Sequence, residues 1–383
     1  MNPITLLQVP HLVIGSGCRA QCAAYLTAHK AKRIFAITGS FGAAHVQSLF
    51  DGAFDVEIDS SVNAEPTVSG FHQILARAQA FKPDAVLGLG GGSALDVAKL
   101  VAALLDGTQT VSEVFGIGLV KGRAVHLVCI PTTAGTGSEV SPNAILLDET
   151  DTMKKGVVSP WLVPDAALID AELTLSVPPA VTAATGLDAL THCLEAYTNR
   201  FAHPVVDTWA LEGVRLIAAS LVGAVKNPNA IAAREQLSLG SLYGGLCLGP
   251  VNTAAVHALS YPLGGAHHIP HGHANAILLP HVMRFNAQAT PDRHAAVARA
   301  LGATQGADDA ATAEAGIAQL WKLIDATGLE MRLTALGVDE SEIPALAKAG
   351  LGVTRLMKNN PRPMTQQDAE EIYHAALRGR RRV

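Results

Sequence analysis

Positive charge is in short supply in this chain. Its 383 residues carry 28 Lys and Arg against 33 Asp and Glu, a net charge of −5. With no basic excess to neutralise phosphates, nucleic acid is excluded as a partner. The basic tail Arg378-Gly379-Arg380-Arg381-Arg382 reads as a solvated end rather than a binding arm. Charged residues of either sign make up only 16% and hydrophobic ones 49%. That balance excludes a disordered chain and predicts a compact globule. It also points to apolar surface covered by a second subunit, hence a homodimer.

Cysteine is sparse too. Cys18, Cys22, Cys129, Cys193 and Cys247 are odd in number and scattered, which excludes a disulfide framework and a zinc ribbon. The first residues hold no basic segment followed by an apolar run, and no apolar run reaches bilayer length. A reduced, cytoplasmic protein without a membrane partner is the expectation. Neither the Gly-x-Gly-x-x-Gly fingerprint nor the Walker pattern occurs.

The length is too great for one small core, so two domains are expected. In the first part, strands are predicted at 11–17, 33–38, 54–58, 84–89, 125–130 and 167–169, with an antiparallel pair at 143–148 and 155–158. Helices at 20–28, 67–81 and 94–105 alternate with them. Such alternation implies a parallel sheet with right-handed crossovers, whose ligands bind beyond the carboxyl ends of the strands. The run Arg33-Ile34-Phe35-Ala36-Ile37-Thr38 is continuously apolar from Ile34 to Ile37, as a strand buried on both faces should be. Strand signals fade at Pro178-Pro179. Helices are then predicted at 184–197, 204–219, 230–249, 253–261, 275–285, 292–301, 308–327, 340–351 and 365–377. The fold class is therefore an α/β dinucleotide-binding domain, 1–179, followed by an all-α metal-binding domain, 180–383.

Two stretches at strand ends suit a polar ligand. Gly90-Gly91-Gly92-Ser93 lies between a strand and a helix, where glycine lets backbone amides approach a phosphate and the helix start presents unpaired N–H groups. Ser93 could cap that helix and donate to phosphate. Pro131 to Val140 is dense in hydroxyls and glycine. Both also read as plain tight connections.

The helical half carries the metal chemistry. Asp188 and His192 stand four residues apart, on one face of a helix. His257 on another helix and His271 before a glycine turn complete three imidazoles and a carboxylate, a set suited to a divalent transition metal. Taken singly, each histidine reads equally as hydrogen-bonded core. As a set, they would leave a bound divalent ion net positive.

These motifs carry a resemblance. Gly90 through Lys99, Pro131 through Val140, Gly186 through His192, and His257 through Gly272 are similar, in order and separation, to the iron-containing alcohol dehydrogenase family, with its dehydroquinate synthase-like fold. The resemblance implies a site in the cleft between a dinucleotide domain and a helical metal domain. It implies that Asp188, His192, His257 and His271 bind the metal, Fe2+ by family habit, with Zn2+ also suited to imidazoles. Gly91, Gly92 and Ser93 would hold the pyrophosphate. Asp96, Thr132, Thr133, Thr136, Ser138 and Lys155 would line the NAD or NADP. The activity implied is hydride transfer between a small primary alcohol or aldehyde and nicotinamide.

Two departures stand out. Where many members carry an Asp that repels a 2′-phosphate, this chain has Gly39 followed by Ser40, so NADP is expected to be tolerated. Four residues after His257, many members have a further histidine beside the substrate; here Tyr261 stands there. Tyr261 or His267 is expected to take over its proton relay. Rival readings are a maleylacetate reductase, a dehydroquinate synthase-like lyase and a non-catalytic nucleotide–metal sensor. The full Asp/His set and the lack of a basic cluster beside it disfavour the first two.

Overall fold

A computed structural model describes residues 3–40, 42–50, 52–151 and 153–379. Phe41 of the expected turn after the second strand, and the tail from Arg380 onward, lie outside the described residues. The chain divides into a unit of Leu6–Ser176 and a unit of Val177–Val383 that also takes in the first residues up to Thr5.

The first unit runs β1 (His11–Ile14), α1 (Gln21–Ala28), β2 (Arg33–Thr38), α2 (Ala43–Gln47), β3 (Asp55–Asp59), α3 (Val68–Phe81), β4 (Ala85–Gly90) and α4 (Gly92–Leu104). It continues with α5 (Val111–Val114), β5 (Gly116–Ile117), β6 (His126–Pro131), β7 (Asn143–Asp148), β8 (Met153–Val158) and β9 (Ala166–Ile169). Six strands form a parallel sheet in the order β1-β9-β6-β4-β2-β3. β7 and β8 pair antiparallel, as expected, in a small second sheet that β5 joins.

The continuous apolar run of β2 is explained by its neighbours. Phe35 and Ile37 face a core shared with Phe71, Ile74 and Leu95 of α3 and α4. Ile34 and Ala36 face the opposite core, with Cys22 and Leu26 of α1. A strand covered on both faces has no solvent side on which to place polar residues.

The second unit is helical: α6 (Pro179–Thr198), α7 (Pro204–Lys226), α8 (Ile231–Leu248), α9 (Ala255–His267), α10 (His271–Ala287), α11 (Pro291–Ala300), α12 (Asp309–Thr327), α13 (Ile343–Leu351), α14 (Thr354–Met357) and α15 (Gln366–Arg378). α7 corrects one expectation, since by length and composition it is apolar enough to cross a membrane. Half of its most apolar window is buried within the protein, as in the core helix of a globule.

Helix ends near the candidate residues differ from those read in the sequence. α4 begins at Gly92 rather than Ala94, because its N-cap is Gly91. α9 does not stop at Tyr261 but runs through Pro262 to His267. An interior proline forfeits one helix bond, yet α9 is largely buried along its length, and tertiary packing outweighs that loss. α10 begins at His271, not Asn275, so His271-Gly272 is the first turn of a helix and not a glycine turn. Between them His268 adopts a left-handed conformation, φ 54°, and ends α9 within a three-residue link.

Candidate metal centre and nucleotide cradle

Three helices of the second unit supply the metal-binding candidates: α6 carries Asp188 and His192, α9 carries His257, and α10 opens with His271. All four side chains meet at one atom. Oδ1 of Asp188 lies 3.8 Å from His192 Nε2, 3.6 Å from His257 Nε2 and 3.8 Å from His271 Nε2. Ligands spaced around a tetrahedral ion at 2.0–2.1 Å stand roughly 3.4 Å apart, close to these separations. The ligand atoms of Asp188, His192 and His257 all lie within 4.8 Å of one another, and His271 stands outside that set while still facing the carboxylate. The rings of His192 and His257 stack at 4.8 Å, and that of His271 meets His257 edge-on at 5.2 Å. Asp188, His192 and His257 are buried, whereas His271 keeps 32% of its side chain exposed and forms the open side.

The donor chemistry passes a second test. His257 Nε2 is buried and has no hydrogen-bond partner, although it faces the carboxylate. A buried ring nitrogen so placed is costly unless something pairs with it. Burial by itself would raise the Asp188 carboxyl, but His192, His271 and His257 together overcome it and hold the group below its ordinary range. Burial likewise disfavours a charged His257, yet Glu195 and Asp188 outweigh it and lift the imidazole to about 9.

Close approach of α10 to α6 depends on Gly272. A Cβ there would meet the Ala184 carbonyl oxygen at 2.4 Å and Asp188 Cβ at 3.1 Å. The glycine after His271 therefore serves helix packing, which explains a residue that in sequence reads as a turn.

Two residues of this centre were not singled out by the sequence reading. Asn275, one turn after His271, donates from Nδ2 to Asp188 Oδ1 at 2.7 Å and to His271 Nε2 at 3.2 Å. Glu195, three residues after His192, has one oxygen 2.6 Å from His257 Nδ1. Their helical spacing from known candidates was the available signal. Glu195 also corrects the expectation of a net positive site, because it adds a second buried carboxylate to that of Asp188.

Tyr261 and His267 part company. The Tyr261 ring lies 5.9 Å from that of His271, one turn after His257 on α9. His267, in the last turn, is held through Nε2 by Glu342 Oε2 at 2.9 Å.

In the first unit, the glycine turn sits at the carboxyl end of β4 and the start of α4, which no side chain caps. The hydroxyl-rich loop after β6 closes over it. Thr132 N–H donates to Gly90 O at 2.9 Å, Thr133 stands 3.6 Å from where a Gly91 Cβ would lie, and Thr136 stands 2.5 Å from that of Gly92. Only glycine fits beneath Thr136, and the uncapped amides remain available to an anion. Gly39 and Ser40 follow β2, with Gly39 open on its side-chain face except for Val62 O at 4.0 Å.

The remaining candidates are already engaged. Ser93 does not cap α4; its hydroxyl donates to Ala64 O at 2.6 Å. Asp96 is bound by the Ser138 hydroxyl at 2.5 Å and by Ile145 N–H at 2.9 Å, bracing the loop from behind. Buried Lys99 joins the brace through Ser138 O at 2.8 Å. Lys155 pairs with Asp148 at 2.6 Å and Asp151 at 2.7 Å.

A carboxylate–imidazole cluster in a helical unit and a glycine turn at the end of a strand in a parallel α/β unit are the features expected of metal-using enzymes of nucleotide chemistry. Comparison with known proteins gives the family. The description "Iron-containing alcohol dehydrogenase" matches residues 10–171, and "Fe-containing alcohol dehydrogenase family, C-terminal" matches 182–377. Long-chain-alcohol dehydrogenase 1 of Geobacillus thermodenitrificans is 38% identical over 330 residues, covering 85% of this chain and 83% of that protein. Lactaldehyde reductase of Escherichia coli is 35% identical, covering 83% and 84%. Among solved structures, a 1,3-propanediol oxidoreductase superposes with a TM-score of 0.94 at 31% identity, covering 98% of this chain and 100% of that one. Sulfoacetaldehyde reductase of Bifidobacterium kashiwanohense, in complex with NAD+, gives 0.88 at 28%, covering 98% and 99%. The chain belongs to the iron-containing alcohol dehydrogenase family. It is an oxidoreductase of the nicotinamide-linked alcohol dehydrogenase and aldehyde reductase type.

Proposed function

We propose that this chain interconverts small primary alcohols and aldehydes, with one ferrous ion held by Asp188, His192, His257 and His271. Zinc suits the same donors. The observation that carries the reading is the convergence of three imidazole Nε2 atoms on Asp188 Oδ1 at 3.6 and 3.8 Å. When bound, the metal supplies a Lewis acid for the substrate oxygen and the nicotinamide supplies hydride chemistry. The uncapped start of α4, with Gly91 and Gly92 under Thr133 and Thr136, binds the pyrophosphate. Thr132 belongs to the same wall, while Ser93, Asp96 and Ser138 hold its shape. Lys155 reaches a nucleotide only by leaving Asp148 and Asp151.

Tyr261, beside the exposed ligand His271, orients the substrate hydroxyl and moves its proton. His267 is the second candidate for that step, through its pair with Glu342. Gly39 and Ser40 leave no carboxylate after β2 to repel a 2′-phosphate, which supports use of NADP beside NAD. Relatives named for long-chain alcohols, lactaldehyde and 1,3-propanediol support the alcohol–aldehyde class. Five free, buried thiols support a reducing compartment such as the cytoplasm, and the low charged fraction of 16% supports a homodimer.

The test is a panel of short alcohols and aldehydes, run with NAD(H) and NADP(H) after loading ferrous iron or zinc. Absorbance of reduced nicotinamide should change only in metal-loaded protein. His271→Ala should lose bound metal and turnover together; full turnover in metal-free protein would refute the reading.

A further inference from the structure

Glu195 sits on α6, one turn beyond His192, and is 1% exposed. A buried carboxylate needs partners for both oxygens, and Glu195 has them. Its Oε1 accepts the backbone N–H of Val256 at 2.6 Å, and its Oε2 accepts Nδ1–H of His257 at 2.6 Å. Val256 lies in the first turn of α9, whose N-cap Ala254 provides no side-chain cap. Two acceptors thus meet two donors on adjacent residues of one helix start.

We propose that Glu195 is the positioning residue for the metal ligand His257, fixing its tautomer and supplying the second negative charge that matches a divalent ion. This rests on the metal-dependent reading above. With the proton of the neutral ring committed to Nδ1, the lone pair is left on Nε2. That is the nitrogen which faces Asp188 Oδ1 at 3.6 Å and has no hydrogen-bond partner. A carboxylate behind a ligand imidazole also strengthens the ring as a donor. The three imidazoles bring no charge when they ligate, so Asp188 and Glu195 together balance two positive charges.

A plain helix-capping role makes a different forecast. Capping needs one acceptor, and a glutamine retains one. In Glu195→Gln the amide oxygen goes to Val256, whose N–H is fixed by the backbone. The amide NH2 is then turned to His257 Nδ1, which must accept. The proton of the neutral ring moves to Nε2, the atom the metal requires. Glutamine therefore preserves the cap and spoils the ligand.

The experiment is cobalt(II) titration of metal-free wild type and Glu195→Gln, using cobalt chloride alone. Affinity is read by chelator competition, coordination by the visible ligand-field spectrum, and stability by unfolding of the metal-free proteins. Glu195→Gln is expected to bind cobalt about 10- to 100-fold more weakly, with an altered spectrum and a metal-free unfolding midpoint close to wild type. Equal affinity and an unchanged spectrum would overturn the role of Glu195 while leaving the metal centre intact. Failure of wild type itself to bind cobalt would overturn the centre and this role with it. Should the amide variant not fold, Glu195→Asp retains charge and both acceptors but draws them back by a methylene. It is expected to bind cobalt more weakly than wild type, and equal binding would overturn the proposal.

Discussion

Asn275 Nδ2 donates to Asp188 Oδ1 at 2.7 Å, the same oxygen that His192, His257 and His271 face. The carboxylate at the middle of the centre is thus held by an amide that is itself fully buried on α10. The helix that brings His271 also brings the residue that steadies its neighbour.

Removing that amide should weaken the metal-free protein. Asn275→Leu leaves a buried carboxylate oxygen without its donor, at a cost of about 1–3 kcal/mol. Urea unfolding of the metal-free variant is expected to show a midpoint lowered accordingly. An unchanged midpoint would mean that the bond contributes nothing.

Packing of α10 on α6 makes a separate forecast. Gly272→Ala places a methyl 2.4 Å from the Ala184 carbonyl oxygen, a backbone atom that cannot rotate away. The first turn of α10 must shift and carry His271 with it. Overpacking of this kind destabilises by about 1–3 kcal/mol, and metal retained after dialysis should fall sharply. Full metal content with wild-type stability would show that the helices have slack.

Nucleotide preference should respond to the residue after β2. A Cβ added at Gly39 meets only Val62 O, at 4.0 Å, so a side chain can start there without a clash. Gly39→Asp is expected to move the ratio of kcat/KM for NADP over NAD toward NAD by at least about tenfold, or about 1.4 kcal/mol, through like-charge repulsion of the 2′-phosphate. A constant ratio would place the adenosine ribose elsewhere.

Acid stability should depend on His281 of α10, whose ring packs edge-on against Trp321 at 5.4 Å. Burial, with help from Arg284, lowers this imidazole from 6.5 to about 4. The unfolded chain therefore binds a proton near pH 6.5 that the folded protein refuses until about pH 4. The stability this group contributes is complete above pH 6.5 and is lost as pH falls toward 4. The upper limit is roughly 3 kcal/mol. His281→Phe keeps the ring and removes the titration, so its stability should fall less steeply over that window in denaturant titrations. Parallel slopes for variant and wild type would contradict the assignment.

The alternation of strands and helices was legible because burial leaves a periodic imprint on the residues that make each element. The apolar run of β2 announced a strand covered on both faces, and Phe35 and Ile34 do enter opposite cores. The Asp188/His192 pair was legible for the same local reason, a four-residue spacing on one helix. The ends of α9 and α10 were not, since the proline and glycine signals at Pro262 and Gly272 mean something different inside a packed bundle.

The sequence by itself therefore determined the fold class, the glycine turn before α4 and which side chains could ligate a metal, all properties of short segments. Tertiary structure alone decided that residues from α6, α9 and α10 share one carboxylate oxygen, that Asn275 and Glu195 stand behind them, and that Ser93 and Lys155 are occupied elsewhere. Those outcomes depend on distances between segments remote in the chain, which are set by how helices pack and not by any local pattern.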